Sequence, residues 1–80
     1  MSTIAVKKEP IAMDVSFKKD SLCITLVDGR EVCVPLEWFP RLREASDIQR
    51  KDWRLIGGGI GIHWEAVDED ISIESLLSNS

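Results

Sequence analysis

The chain has 80 residues, 44% of them hydrophobic and 30% charged, a globular composition rather than a disordered one. That length carries one domain with a small core, burying roughly 60–65% of its unfolded surface. A net charge of −4 and a pI near 4.8 argue against broad, sequence-independent nucleic-acid binding, which needs an excess of Lys and Arg; they suit a basic protein partner and leave room for a local basic patch.

No apolar run approaches the roughly 18 residues needed to cross a bilayer. The opening MSTIAVKKEP lacks the continuous apolar stretch of a secretory signal. The expectation is a cytoplasmic protein whose Cys23 and Cys33 are reduced thiols. Two cysteines without a His/Cys cluster make no zinc site, and neither a metal nor another cofactor is expected.

Residues 1–10 form a loose N-terminal tail, because Pro10 breaks any regular element. From Ile11 to Phe17 the side chains of Ile11, Met13, Val15 and Phe17 alternate with Ala12, Asp14 and Ser16, the period-two pattern of a half-buried strand. After a polar turn at Lys18–Asp20, Ser21–Val27 and Arg30–Pro35 predict two more strands around Asp28-Gly29. A two-residue turn there pairs Ile24 with Cys33 and splits the apolar residues between two faces. A three-residue loop with left-handed Gly29 pairs Ile24 with Val32 and Leu22 with Val34. It gathers Leu22, Ile24, Leu26, Val32 and Val34 on one face. A one-residue slip inverts every side chain, so the pattern selects the second register. Cys23 then faces Cys33 across the strands, as two small packing residues or, alternatively, as a redox pair.

Beyond Pro35 the pattern turns helical. Pro40 suits a first helical turn, predicting a helix over Pro40–Ala45. Ser46-Asp-Ile-Gln49 has the spacing of a capping box at the start of a second helix near Asp47–Trp53, either separate or a kinked continuation of the first. Arg54–Ile56 and Ile60–Trp64 are short strands flanking the glycines, with Ile60, Ile62 and Trp64 on one face. Ser72 caps a last helix running from Ile73 to about Leu77, Ile71 and Leu76 have the spacing of a hydrophobic staple, and residues 78–80 form a tail. The fold expected over residues 11–77 is α+β: a small antiparallel sheet, with three N-terminal strands and a C-terminal hairpin, plus two or three short helices.

Three patterns invite a chemical reading. LIGGGIGIHW holds four of the five glycines, yet a P-loop needs a helix and a Lys after the last glycine, and a dinucleotide fingerprint needs a longer βαβ unit. A strand pattern follows here, so the run is a bend requiring positive φ. His63, the lone histidine, has Glu65 two residues on as a partner for acid–base chemistry, but no nucleophile is marked. Asp68-Glu-Asp70 lacks the spacing of a calcium loop and suits the positive end of the last helix.

The aromatic–cationic set is more informative. Trp38, Trp53 and Trp64 stand among Arg41, Arg43, Arg50, Lys51 and Arg54, residue types enriched at binding hot spots and able to stack on bases. The competing reading makes the tryptophans core fillers and pairs Arg41 and Arg50 with Glu37, Glu44 or Asp68–Asp70. The contact set taken from this pattern is Trp38, Arg41, Arg50, Trp53, His63 and Trp64.

VPLEWFPRL, QRKDWRLIGGGIGIHW and VDEDISIESLL, in that order and spacing, resemble a small bacterial family known as domain of unknown function 2442. The likeness spans about Ile11 to Leu77 and rests on Asp28, Gly29, Pro35, Leu36, Trp38, Trp53, His63, Trp64, Asp68, Glu69 and Asp70. The resemblance implies a small α+β domain. Some relatives continue into a helix-turn-helix DNA-binding domain, which is not expected here, and others look like antitoxin partners encoded beside small toxin-like proteins. It carries over no catalytic residue. The expectation is a non-enzymatic protein-interaction module, an antitoxin-like partner of a small basic protein. The alternatives are a nucleic-acid-binding or regulatory module using Arg41–Arg54, and a small enzyme using His63. Homodimerisation through an open sheet edge is a further expectation.

Overall fold

A computed structural model describes residues 10–78; the expected tails at 1–9 and 79–80 lie outside the described residues. The first sheet has strands β1 (Ala12–Lys18), β2 (Ser21–Leu26) and β3 (Glu31–Pro35) in that spatial order. A single 3-10 turn, Leu36–Trp38, leads into helices α1 (Pro40–Arg43) and α2 (Asp47–Lys51). A second sheet follows, of β4 (Trp53–Ile56), β5 (Gly61–Trp64) and β6 (Glu69–Ser72), and α3 (Ile73–Ser78) closes the chain's described part. Every strand pairing is antiparallel.

The β2–β3 register is the one that hydrophobic patterning selects: Ile24 faces Val32, Leu22 faces Val34 and Cys23 faces Cys33. Gly29 adopts φ +97°, and the amide of Leu26 donates to Arg30 O at 2.8 Å across a three-residue loop. Leu22, Ile24, Leu26 and Val34 are buried on one face. The thiols are not free, contrary to expectation: Cys23 and Cys33 form a disulfide with Cα atoms 4.1 Å apart. A non-hydrogen-bonded cross-strand pair sets opposite side chains this close.

Two strands differ from the periodic reading. In β1 the register slips between Ala12 and Asp14, a bulge that inserts Met13 as an extra residue and inverts the alternation before it. Ala12 therefore points into the core, while Met13, expected inside, is 56% exposed. The segment Glu69–Ser72 is a strand rather than a helix approach, so a second three-stranded sheet replaces a simple C-terminal hairpin. Its alternation, with Ile71 buried between exposed Asp70 and Ser72, is the half-buried pattern of a sheet facing solvent on one side.

Both sheets and helices α1 and α3 share one core, in which Ile62 and Trp64 of β5, Ile71 of β6, Leu42 of α1 and Ile73 and Leu76 of α3 join the apolar face of the first sheet. Helix termini follow the expected chemistry. Ser46 Oγ accepts from the Gln49 amide at 3.2 Å, and Gln49 Oε1 accepts from the Ser46 amide at 2.9 Å. Ser72 Oγ accepts from the Ser75 amide at 3.3 Å, and the Ile71–Leu76 staple is buried at both ends. Among the described residues no helix is long and apolar enough to cross a membrane.

The glycine run proves to be a backbone device. Gly57, Gly58 and Gly59 all have positive φ, from +60° to +112°, in the four-residue connection between β4 and β5. Its last glycine also abuts the first sheet. The Ala12 amide donates to Gly59 O at 2.8 Å, and a Cβ on Gly59 would meet Ala12 O at 2.7 Å.

Candidate functional site

Beside the outer edge of β1 lies a groove of about 340 Å³, lined by Val15, Ser16 and Phe17 of β1, Asp47, Arg50 and Lys51 of α2, and Trp53 at the start of β4. Its walls come from three consecutive packing decisions. Phe17 turns inward and meets the Trp64 ring edge-on, with centroids 6.3 Å apart. Trp64 is fully buried and its indole Nε1 donates to Arg50 O at 3.0 Å, fixing the end of α2 over the core. Arg50 lays its guanidinium over the Phe17 ring, 5.4 Å from the ring centroid. The result is an apolar floor of Val15, Phe17 and half-buried Trp53 with two cations on one wall.

Arg50 is held rather than free. Its Nε donates to Leu42 O and its Nη2 to Arg43 O, both at 2.9 Å, so it ties α1 to α2 by satisfying carbonyls at the end of α1. Lys51 and Asp47 also line the groove, and neither has an ion-pair partner among the described residues.

Of the six contact residues read from the sequence, Arg50 and Trp53 line this groove. Trp64 does not belong to a contact surface: it is fully buried, because β5 is the central strand of its sheet. Trp38 sits apart on the 3-10 turn and is 44% exposed. Arg41 donates to the backbone O of Asp68 at 2.6 Å, a tie between α1 and the β5–β6 turn rather than to a carboxylate. Phe17 and Val15 were legible as strand residues, but nothing in their local pattern marks them as groove lining.

His63 occupies a second cluster on the solvent face of the other sheet. Arg54, His63 and Asp70 form one cross-strand row. Nδ1 of His63 bonds Asp70 Oδ1, Nε2 bonds Glu65 Oε1 at 2.9 Å, and Arg54 Nη2 approaches the same Glu65 oxygen at 3.4 Å. The Asp70 hydrogen bond, and after it that of Glu65, raises the His63 pKa above its ordinary 6.5. An imidazole held by carboxylates at both nitrogens favours the imidazolium and presents no free lone pair to accept a substrate proton. Glu65 was legible as a partner two residues along. Asp70 required recognising β6, whose signal was the alternation of Asp70, Ile71, Ser72 and Ile73.

Cys23, Glu31 and Cys33 place ligand atoms within 4.8 Å of one another. Both sulfurs are consumed in the disulfide, so a metal there requires the reduced pair.

Residues 12–80 match the model of a family described as "Protein of unknown function (DUF2442)". No curated protein matches the chain. Among solved structures it is similar to a protein of unknown function from Rhodospirillum rubrum, at 28% identity and a TM-score of 0.76, over 90% of this chain and 89% of that one.

Proposed function

We propose that this chain, which belongs to the DUF2442 family of proteins of unknown function, is a non-enzymatic protein-interaction module. The observation that carries this reading is the groove beside β1, where Phe17, Val15 and Trp53 offer apolar surface next to Arg50 and Lys51. Aromatic and Arg groups in a partly desolvated recess are the composition of interface hot spots. The His63 cluster supports a structural role over catalysis, because both ring nitrogens are already spent on carboxylates.

The narrower reading is an antitoxin-like partner of a small basic protein, in the cytoplasm. The net charge of −4 suits a basic partner through long-range attraction. In a reducing cytosol the Cys23–Cys33 bond is one that the thiol pool opens. A nucleic-acid role has weaker support, because the chain is acidic and Arg41 is tied to the Asp68 carbonyl.

Affinity purification of the tagged protein at native expression tests the reading. The expected result is a stoichiometric protein partner that is retained by His63→Gln and lost with Trp53→Ala combined with Lys51→Glu. Recovery of the protein alone, or of nucleic acid alone, overturns it.

A further inference from the structure

Resting on that reading, we infer that the partner contributes an extended segment that adds as a strand to the outer edge of β1 and sets an acidic side chain against Arg50 and Lys51. The hydrogen-bond parity of the first sheet makes this edge available. The Leu26 amide points towards β3, where it donates to Arg30 O. Residues at even spacing from Leu26, Ile24 and Leu22, therefore also face β3, and the intervening Ser21, Cys23 and Thr25 face β1. Their β1 partners are Lys18, Ser16 and Asp14. Val15 and Phe17, opposite Ile24 and Leu22, accordingly turn their N–H and C=O groups outward. Neither has another backbone partner among the described residues.

The same edge is closed further back, where Ala12 donates to Gly59 O. The open portion is thus the stretch at Val15–Phe17 that lines the groove. Two outward residues on an edge strand offer the main-chain bonds of strand addition, while the recess beside them receives a side chain.

Charge decides the occupant. The groove holds Arg50 and Lys51 against the single carboxylate of Asp47, so an added strand with an acidic residue is attracted and one with a basic residue is repelled. A second copy of this chain, paired edge to edge, adds two more groove cations for one more carboxylate, an arrangement without complementary charge.

The test uses the full-length protein, uniformly 15N-labelled, and two capped synthetic hexapeptides, acetyl-Thr-Val-Glu-Val-Thr-Val-amide and its Glu-to-Lys counterpart. The expected result with the Glu peptide is a shift of the Val15 and Phe17 amide resonances and at least tenfold slower hydrogen exchange at both. The Lys peptide binds at least tenfold more weakly, and Lys51→Glu reverses that order. Amides at Val15 and Phe17 that are protected before any peptide is added, a dimer that hides them, equal binding of the two peptides, or no response at millimolar peptide each overturn strand addition.

Chemical synthesis with backbone esters replacing the amides of Val15 and Phe17 separates the two proposals. If such a protein still captures its partner at full affinity, the interaction reading stands and strand addition falls. If no partner is ever captured while the Glu peptide protects both amides, the edge is a peptide site and the wider reading falls.

Discussion

The amide of Ala12 donates to the carbonyl of Gly59 at 2.8 Å, and this bond locks the tip of the β4–β5 hairpin against the first strand of the other sheet. It explains why the glycine run ends in a residue without a side chain. Further along β1, Val15 and Phe17 form the open edge.

The three turn glycines are therefore unequal. Gly59→Ala combines positive φ with a Cβ 2.7 Å from Ala12 O, whereas a Cβ on Gly58 meets nothing within 4 Å. We expect Gly58→Ala to cost about 1–2 kcal/mol, the strain of a left-handed Ala. Gly59→Ala should cost at least about 1 kcal/mol more, since backbone must shift. Urea denaturation of both variants checks the order; equal midpoints refute the latch.

The His63 cluster makes stability depend on pH in a defined direction. Its folded pKa is raised above 6.5 by Asp70 and Glu65, so the folded state binds a proton that the unfolded chain releases first. The stabilisation is fully present below pH 6.5, the unfolded value. It is lost as the pH rises through the folded pKa. Thermal melts should show wild type exceeding His63→Gln most near pH 5.5–6, with the gap narrowing at alkaline pH. Because His63 is the lone histidine, its ring proton resonance reports the midpoint directly, and a value at or below 6.5 contradicts the clamp.

Reducing the Cys23–Cys33 bond should destabilise the fold without abolishing it. The linked residues are 10 apart, and closing so short a loop in the unfolded chain is worth about 2–3 kcal/mol. Unfolding with and without a phosphine reductant measures the difference. A reduced protein that still melts cooperatively, several degrees lower, is the expected outcome, because the buried cluster that holds both sheets together includes neither sulfur.

Ser46→Ala removes the hydroxyl that accepts the Gln49 amide. A loss of about 1 kcal/mol is expected. Since α2 carries Arg50 and Lys51, the same substitution should weaken partner capture more than its stability cost alone, which a binding assay well below the melting temperature resolves.

Local rules carried most of the architecture. Alternation of Leu22, Ile24 and Leu26 against Val32 and Val34 chose the hairpin register because a slip of one residue would have exposed all five. The Ser46–Gln49 box, the Ser72 cap, Pro40 at a helix start and the glycine bend were readable because each acts within about four residues. What tertiary structure alone decided were meetings between segments far apart in the chain. Met13 left the core because a bulge let Ala12 reach Gly59. Trp64 was removed from the contact set because its strand became central, and Asp70 met His63 only once β6 existed to carry it. Arg50 became the strut between two helices, with one face of Phe17 beneath it. Periodicity specifies which side of an element is apolar; it does not specify which other element lies against that side, and the groove and the ion cluster are both products of that second choice.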